Sequence, residues 1–144
     1  MLIREAVIND FKDIYILNKE GLGYDYPEEK TKAKLQIVLN ISVDKIFVAE
    51  HDGKVIGYIH LSGYECTYSD SLKNILAIAA LPEYCGKGIG KALLTAGENW
   101  AKKNGSCGIR LVSSSTRTDA HKFYAACGYT FRKEQKNFIK IFGG

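Results

Sequence analysis

Three glycines and two lysines stand close together in the run Gly86-Lys87-Gly88-Ile89-Gly90-Lys91. An apolar stretch typical of a strand precedes the run at 75–81, and apolar residues recur after it at helical spacing. A strand, a glycine-rich turn and a helix N-terminus in this order can direct backbone N–H groups at an anion, and the lysines add positive charge. The pattern predicts a phosphate-binding turn; the alternative is a helix that merely begins after glycines.

Two common nucleotide-binding patterns do not fit this turn. A P-loop has four residues between its first glycine and its Gly-Lys pair, followed by Ser or Thr. Here three residues separate Gly86 from Gly90, and Ala92 stands where the hydroxyl is required. The dinucleotide pattern G-x-G-x-x-G requires a glycine at position 91, which is a lysine. The turn is therefore predicted to bind another phosphate-containing ligand.

A second motif follows at 117–129, which reads RTDAHKFYAACGY. Ala120, Phe123 and Tyr124 lie on one face of a predicted helix, and Gly128 suits a left-handed helix end. By itself this segment is an ordinary amphipathic helix. This helix follows the glycine turn in the chain at a characteristic separation. The two motifs together therefore indicate a function more specifically than either motif alone.

Together the two motifs resemble those of the GCN5-related N-acetyltransferases. The late helix is similar to the family pattern Ala-x-x-Phe-Tyr-x-x-x-Gly-Phe/Tyr. The segment from Ala80 to Lys91 resembles the family's acetyl-CoA-binding motif, Gln/Arg-x-x-Gly-x-Gly/Ala after a Val-x-Pro strand end. Ala80 replaces the usual Val, and Cys85 replaces the usual Gln or Arg, which removes one side chain that can assist a pyrophosphate.

The resemblance implies transfer of an acetyl group from acetyl-CoA to a primary amine, by direct attack in a ternary complex and without a metal. Ile78 and Ala80 would pair their backbone groups with the pantetheine arm, and an N–H near Ile78 would stabilise the oxyanion. Tyr124 would lie at the cofactor and protonate the departing thiolate; a core tyrosine is the alternative. The residues expected at the pyrophosphate are Cys85, Gly86, Lys87, Gly88, Ile89, Gly90 and Lys91.

The catalytic base is not evident from the family pattern. Many members carry a Glu where this chain has Asn74, and an amide cannot accept the proton. Glu65, at the end of a predicted strand beside the expected acceptor cleft, is the predicted base. His60, His121 and a chain of water molecules are alternatives.

The acceptor is expected to be a small-molecule amine. The loop and helix at 21–34 and the loop at 62–72 would select it. Tyr24, Tyr26, Tyr64 and Tyr68 could form an aromatic wall for a cationic or aromatic amine, with nearby carboxylates as counter-charges. Exposed loop tyrosines without such a role are the alternative.

The predicted elements form a single domain over 1–144. The α/β fold would be a mixed, mostly antiparallel sheet flanked by helices, the acyl-CoA N-acyltransferase fold, in the order βααβββαβαββ. Asp52-Gly53 predicts a tight hairpin. The predicted strands are 2–6, 45–51, 54–63, 73–81, 109–114, 129–134 and 137–142, and the predicted helices are 9–20, one beginning near Pro27, one ending near Asn104-Gly105, and 118–127.

Composition is that of an ordinary globular protein. The 144 residues are 46% hydrophobic and 25% charged, enough to bury a core, and the net charge of +4 is mild. The four cysteines form no C-x-x-C pair, so neither zinc nor a disulfide framework is indicated. We expect a cytoplasmic protein that binds neither membrane nor nucleic acid, with a homodimer possible. A CoA-binding sensor, a protein N-terminal or lysine acetyltransferase, and a nucleotide-binding protein are the alternative functions.

Overall fold

The computed structural model describes residues 1–143 and divides them into two units, Met1–Leu111 and a second that begins at Val112. The single predicted domain stays a prediction. The first unit holds β1 Leu2–Glu5, α1 Phe11–Leu17, α2 Glu28–Leu39, β2 Lys45–His51, β3 Lys54–Tyr64, β4 Leu72–Ala80, α3 Ile89–Lys103 and β5 Gly108–Leu111; the second holds α4 Thr118–Ala126. Among these residues no helix is long and apolar enough to cross a membrane.

The five strands form one mixed sheet in the order β1-β2-β3-β4-β5. The first three pairings are antiparallel, and β4 pairs with β5 in parallel. The predicted hairpin at Asp52-Gly53 is confirmed, because both residues adopt the positive φ angles, 52° and 75°, that a tight turn of this kind requires. The mixed, mostly antiparallel sheet with flanking helices is confirmed.

Helix α3 covers one face of the sheet through residues spaced four apart. Ile89, Leu93 and Ala101 are buried on this helix, and Gly97 packs on Leu61 of β3. At the start of the helix, a Cβ on Gly57 of β3 would lie 2.8 Å from Ile89 Cγ2 and 3.0 Å from the Ala79 carbonyl oxygen. Glycine at position 57 therefore lets the N-terminus of α3 approach the sheet beside the end of β4.

The opposite face of the sheet contacts α1. Asp13 of α1 accepts a hydrogen bond from the Val55 N–H of β3, and Leu17 is fully buried. Tyr58 of β3 donates its hydroxyl to Asn18 in the turn that follows α1. Because side chains alternate along a strand, Tyr58 and His60 lie on this face, and Gly57 and Ile59 lie on the α3 face.

The two strands predicted at 129–134 and 137–142 are not formed, so that part of the predicted order is wrong. Residues 129–143 contain no helix or strand, and their large apolar side chains are exposed: Phe131, Phe138, Ile139, Ile141 and Phe142. Aromatic and β-branched residues favour a strand only where neighbouring strands supply a ladder and a packing surface. No such neighbour is present for this segment in the described residues.

Candidate active site

An open edge lies along the second half of β4. The parallel ladder with β5 runs only from Leu72–Gly108 to Ile75–Leu111, whereas β4 continues to Ala80. The Leu81 N–H donates to Ile56 O on β3, at 2.9 Å. Since backbone groups alternate along a strand, the N–H and C=O groups of residues 78 and 80 point away from β3, toward the open side. No described strand pairs with this edge.

A bulge marks the place where the edge opens. His60 of β3 pairs with Ala77, and the next residue, Leu61, pairs with Ile75, so Leu76 is an extra residue on β4. Gly21, in the turn after α1, lies close to the far end of the edge, because a Cβ there would be 3.1 Å from the Ala80 carbonyl oxygen. Glycine at position 21 therefore permits the close approach of this turn to β4.

The glycine turn continues directly from the open edge. Pro82–Tyr84 form one 3-10 turn, after which Gly86 and Gly88 adopt φ of 80° and 82°, values that favour glycine. Gly88 is the N-cap of α3 and has no side chain to cap it. The backbone N–H groups from Gly86 through Lys91 donate to no atom of residues 1–143. They form a set of unpaired donors at a helix N-terminus.

Cys85 does not belong to this set of donors. Its N–H donates to Pro82 O at 3.2 Å, and its sulfur lies 3.8 Å from Leu81 O. The Cys85 N–H is thus already paired within the turn, and a contact of Cys85 with an anion stays a prediction. Positive charge at the turn comes from Lys87 and Lys91, both exposed, and the Lys87 Nζ lies 5.5 Å from the centre of the Tyr84 ring.

Asn74 lies just before the open edge and is bound to Arg110. The Arg110 Nη1 donates to the Asn74 Oδ1 at 2.6 Å, and the guanidinium stacks on the Tyr64 ring, 4.4 Å from its centre. Asn74 and Arg110 are cross-strand partners in the β4–β5 ladder. The position therefore presents an amide oxygen that is already used as an acceptor.

Glu65 lies in a different part of the molecule from the open edge. It is exposed in the β3–β4 loop, next to Tyr64, whose partner on β4 is Leu72. Leu72 and Ile78 are six residues apart along β4, about 20 Å at the rise of a strand. Glu65 therefore lies at the end of β4 away from the open edge, and its role as the catalytic base stays a prediction.

A cavity of about 630 Å³ adjoins the bulge on the α1 face of the sheet. Its lining residues are Asn18, Leu22, Gly23, Tyr24, Asp25, Tyr26, Tyr58, His60, Leu76 and Ala77. The His60 Nε2 lies 2.8 Å from the Asp44 Oδ2. The Asp25 Oδ1 accepts a hydrogen bond from the Tyr15 hydroxyl at 3.0 Å, and burial raises the pKa of Tyr58 well above the usual range of tyrosine.

In the second unit, Tyr124 is half-buried on α4. Its ring centre lies 5.5 Å from that of Phe123 and 6.1 Å from that of Tyr129. Burial raises the pKa of Tyr124, and the positive charge of Arg117 acts in the opposite direction. The hydroxyl is therefore protonated at neutral pH and can act as an acid. His121, another alternative base, has its Nε2 2.9 Å from Ser114 O.

Comparison with known proteins identifies the family. A family model described as the acetyltransferase (GNAT) domain matches residues 42–131, more than half of the chain. The chain is 30% identical over 134 residues to an uncharacterized N-acetyltransferase of Methanocaldococcus jannaschii, covering 92% of this chain and 80% of that protein. The chain belongs to the GNAT acetyltransferase family. Its predicted membership, and with it the acyltransferase class, is confirmed.

Two further comparisons bear on this GNAT domain. It is 24% identical over 141 residues to a second uncharacterized N-acetyltransferase of Methanocaldococcus jannaschii, covering 93% of this chain, and it spans 61% of the length of that longer relative. Among solved structures, aminoglycoside acetyltransferase AAC(6')-Iy in complex with a CoA-containing bisubstrate analogue superposes with a TM-score of 0.85 at 21% identity, covering 98% of each chain. This likeness shows the fold.

The backbone geometry agrees with the sequence analysis at some positions of the candidate site, and the roles of those residues stay predictions. The glycines at 86 and 88, and the backbone direction of Ile78 and Ala80, agree with the geometry described above. The Asp44–His60 pair and the Arg110–Asn74 bond were missed, because each joins residues far apart in the chain. Only the alternation that places Tyr58 and His60 on one face of β3 could have indicated the cavity.

Proposed function

We propose that this GNAT-family protein transfers an acetyl group from acetyl-CoA to the primary amine of a small molecule, by direct attack in a ternary complex. The observation that carries the proposal is the continuity of the open edge of β4 with the unpaired amides of the glycine turn. An extended acetyl donor with amide groups at one end and a pyrophosphate at the other would fit these two adjoining sites, with its amides on the edge and its pyrophosphate at the turn.

The pantetheine arm would bind along the open edge. Backbone N–H and C=O groups of Ile78 and Ala80 are directed to that side, and a ligand with amides can pair with them as an added strand does. The bulge at Leu76 ends the regular ladder just before these residues. An N–H near Ile78 would then donate to the oxyanion that develops from the thioester carbonyl.

The pyrophosphate would bind at the glycine turn. The amides from Gly86 through Lys91 are without partners among the described residues, and hydrogen bonds to a charged group contribute about 1.5–3 kcal/mol each. Lys87 and Lys91 add positive charge and are exposed to solvent. Because Cys85 provides neither an amide nor a long polar side chain, the backbone and these lysines would hold the anion.

Protonation of the thiolate would fall to Tyr124. This role rests on the family resemblance of the Phe123-Tyr124 helix and on the hydroxyl being protonated at neutral pH, since burial raises its pKa. A phenol and an alkyl thiol have pKa values within about two units of each other in water, so a phenol can donate to a thiolate. Because burial raises the pKa of Tyr124, this proton transfer carries a free-energy cost.

The acceptor would occupy the cavity beside the bulge. Tyr24, Tyr26 and the carboxylate of Asp25 line it, a combination that suits an amine in its cationic form. A small molecule fits a volume of about 630 Å³. AAC(6')-Iy, which has the same fold, is by its name an aminoglycoside acetyltransferase.

A screen of acceptors with detection of free thiol tests the proposal. The purified protein is incubated with acetyl-CoA and a panel that contains spermidine, tryptamine, neamine, an amino acid and a peptide with a free N-terminus. Release of thiol with a small amine, above the rate without an amine, is the expected result. Acetylation of the peptide alone would replace the proposed acceptor class.

Ligand stabilisation separates the remaining alternatives. CoA is expected to raise the melting temperature, since a ligand at about 100 times its Kd adds about 2.7 kcal/mol, whereas ATP and an oligonucleotide should not. Stabilisation by CoA without turnover of any amine would indicate a sensor and contradict the proposed transfer. Stabilisation by ATP or the oligonucleotide alone would contradict the donor as well.

A further inference from the structure

His60, which lines the cavity, forms a hydrogen-bonded pair with Asp44, which lies outside the cavity lining. The Nε2 of the imidazole lies 2.8 Å from the Oδ2 of Asp44, and the two side chains are only 15% and 8% exposed. A carboxylate accepts hydrogen bonds, so Nε2 bears the proton in this pair. The other ring nitrogen, Nδ1, bonds to no atom in residues 1–143. The neutral imidazole thus keeps a lone pair on Nδ1 that can accept a proton.

The position of His60 connects the cavity with the open edge of β4. His60 lines the cavity and is the cross-strand partner of Ala77, next to the bulge at Leu76. Adjacent strands are about 4.8 Å apart, so the imidazole lies one strand away from the edge that begins at Ile78. An amine in the cavity would contact His60 and lie beside Leu76 and Ala77, next to the start of the edge along which the donor is proposed to bind.

The other polar groups near the edge are less suited to accept a proton. Asn74 is an amide whose oxygen accepts from Arg110 at 2.6 Å. Glu65 is exposed in the β3–β4 loop, about 20 Å along the sheet from Ile78. Asp25 is exposed and accepts a hydrogen bond from the Tyr15 hydroxyl, so it is better placed to attract a cation than to exchange its proton.

We propose that His60, oriented by Asp44, is the catalytic base that takes a proton from the ammonium form of the acceptor in this cavity. The assignment rests on the proposed N-acetyl transfer. One N–H bond of the ammonium breaks, and its proton goes to Nδ1 of His60. The freed lone pair forms a bond to the thioester carbon, and the carbon–sulfur bond breaks.

Overall, the reaction converts an ammonium group and a thioester into an amide and a thiol and releases one proton. The second proton leaves the nitrogen as the amide forms, and it offsets the proton that the thiolate takes up. His60 then returns the first proton to solvent. Asp44 does not change its charge in this sequence and acts as a positioning residue.

Kinetics of His60→Gln, Asp44→Asn and a control, His51→Gln at the exposed β2–β3 hairpin, test the assignment with the fastest amine of the panel. Besides His60, the titratable side chains that line the cavity are Asp25, Tyr24, Tyr26 and Tyr58, and Asp44 contacts His60 from outside that lining. We expect His60→Gln to lower kcat about 100-fold and to remove the rising limb of the pH profile. Asp44→Asn should lower kcat less and leave the KM for acetyl-CoA unchanged, and His51→Gln should match the wild type. A His60→Gln variant with wild-type rate and profile would overturn the assignment.

Nuclear magnetic resonance of the imidazole nitrogens tests the same site without turnover. In the CoA-bound protein we expect His60 to carry its proton on Nε2, and the Nδ1 signal to shift when spermidine or tryptamine is added. A proton on Nδ1, or no shift at saturating amine, would overturn the assignment. If the signal shifts but no amine is acetylated, the proposed acetyl transfer is wrong and the amine site remains supported. If an amine is acetylated and the pH profile of His60→Gln matches that of the wild type, the transfer is supported and the assignment of His60 is wrong.

Discussion

Arg110 donates a hydrogen bond of 2.6 Å to Asn74 across the last pairs of the β4–β5 ladder. The two residues are direct cross-strand partners, and the ladder ends one residue later, at Ile75 and Leu111. The bond therefore joins the strands at the place where they separate. A carboxylate at position 74 would therefore lie next to the Arg110 guanidinium.

Asn74→Glu should not create a new base. A glutamate at this position would pair with the Arg110 guanidinium, which favours the ionised form and weakens the carboxylate as a proton acceptor. We expect the pH dependence of kcat/KM to match that of the wild type, with Asn74→Gln as the control for side-chain length. A tenfold rise in kcat, or a new limb in the pH profile, would show that the pairing does not form.

Gly88 and Gly105 provide a matched pair for testing the glycine turn. They flank α3, have φ of 82° and 79°, and have no atom within 4 Å of an added Cβ. Replacing either by Ala should cost about 1–2 kcal/mol of stability, because both positions are left-handed. Only Gly88→Ala should also weaken CoA binding, by about tenfold, since relief of the strain would turn the amides away from the anion. Equal CoA affinities by calorimetry would argue against the turn as the pyrophosphate site.

Lys87 and Lys91 should contribute through long-range attraction. Lys87→Ala and Lys91→Ala are each expected to lower CoA affinity about threefold to tenfold at low ionic strength, with the difference shrinking as salt is added. Lys103→Ala, at the other end of α3, is the control and should leave the affinity unchanged. If all three variants lose CoA affinity to the same extent, the net charge of the protein determines the affinity and the position of the lysines does not.

Tyr124→Phe should impair chemistry and spare binding. Loss of the phenolic proton is expected to lower kcat about 100-fold while CoA affinity stays within twofold. Since burial raises the pKa of Tyr124 above its usual value, the wild type should show no fall in activity from this group below pH 10. Tyr68→Phe is the control, because Tyr68 is 85% exposed in the β3–β4 loop and is not among the residues that line the cavity. Full activity of Tyr124→Phe would remove the residue from the catalytic machinery.

Asp10 should contribute stability that depends on pH. Burial opposes its ionisation, but hydrogen bonds from Arg4 and the Val7 N–H outweigh that cost and lower the pKa of Asp10 below its usual value. A lowered pKa means that the stabilisation is complete above the unfolded value, near 3.9, and is lost as the pH falls through the folded value. Asp10→Asn should cost about 2 kcal/mol in urea unfolding at pH 7 and less at pH 3. Exposed Asp70→Asn should change neither, and a cost for Asp10→Asn that is equal at both pH values would contradict the account.

The sequence predicted well those helices, strands and turns whose conformation depends mainly on residues close to one another in the chain. The Asp52-Gly53 hairpin, the strand into the glycine turn and helix α3 depend on turn chemistry and on the spacing of apolar residues, both of which are readable in the sequence. The strands at 129–134 and 137–142 were predicted from the same kind of signal and are absent. Strand formation depends on a partner, which composition and alternation cannot supply.

The candidate base shows the same limit. Glu65 follows a strand near the expected cleft in the sequence, whereas the β3–β4 register puts it at the end of the ladder away from the open edge, so its role stays a prediction. His60 and Asp44 are 16 residues apart, and only the packing of the segment before β2 against β3 brings them together. The pairing register of two strands determines, to within one residue, which side chains are neighbours. A single sequence does not determine this register.

The contact between Gly57 and Ile89 has a consequence for the cost of binding a donor. With a Cβ position 2.8 Å from the Ile89 side chain, position 57 has no spare space, and the first turn of α3 rests directly on the sheet. The amides at that helix start and the edge of β4 are thus held at a fixed separation before any ligand arrives. If the proposed donor binds here, the protein would lose little conformational entropy on association, so more of the hydrogen-bond energy would contribute to the affinity.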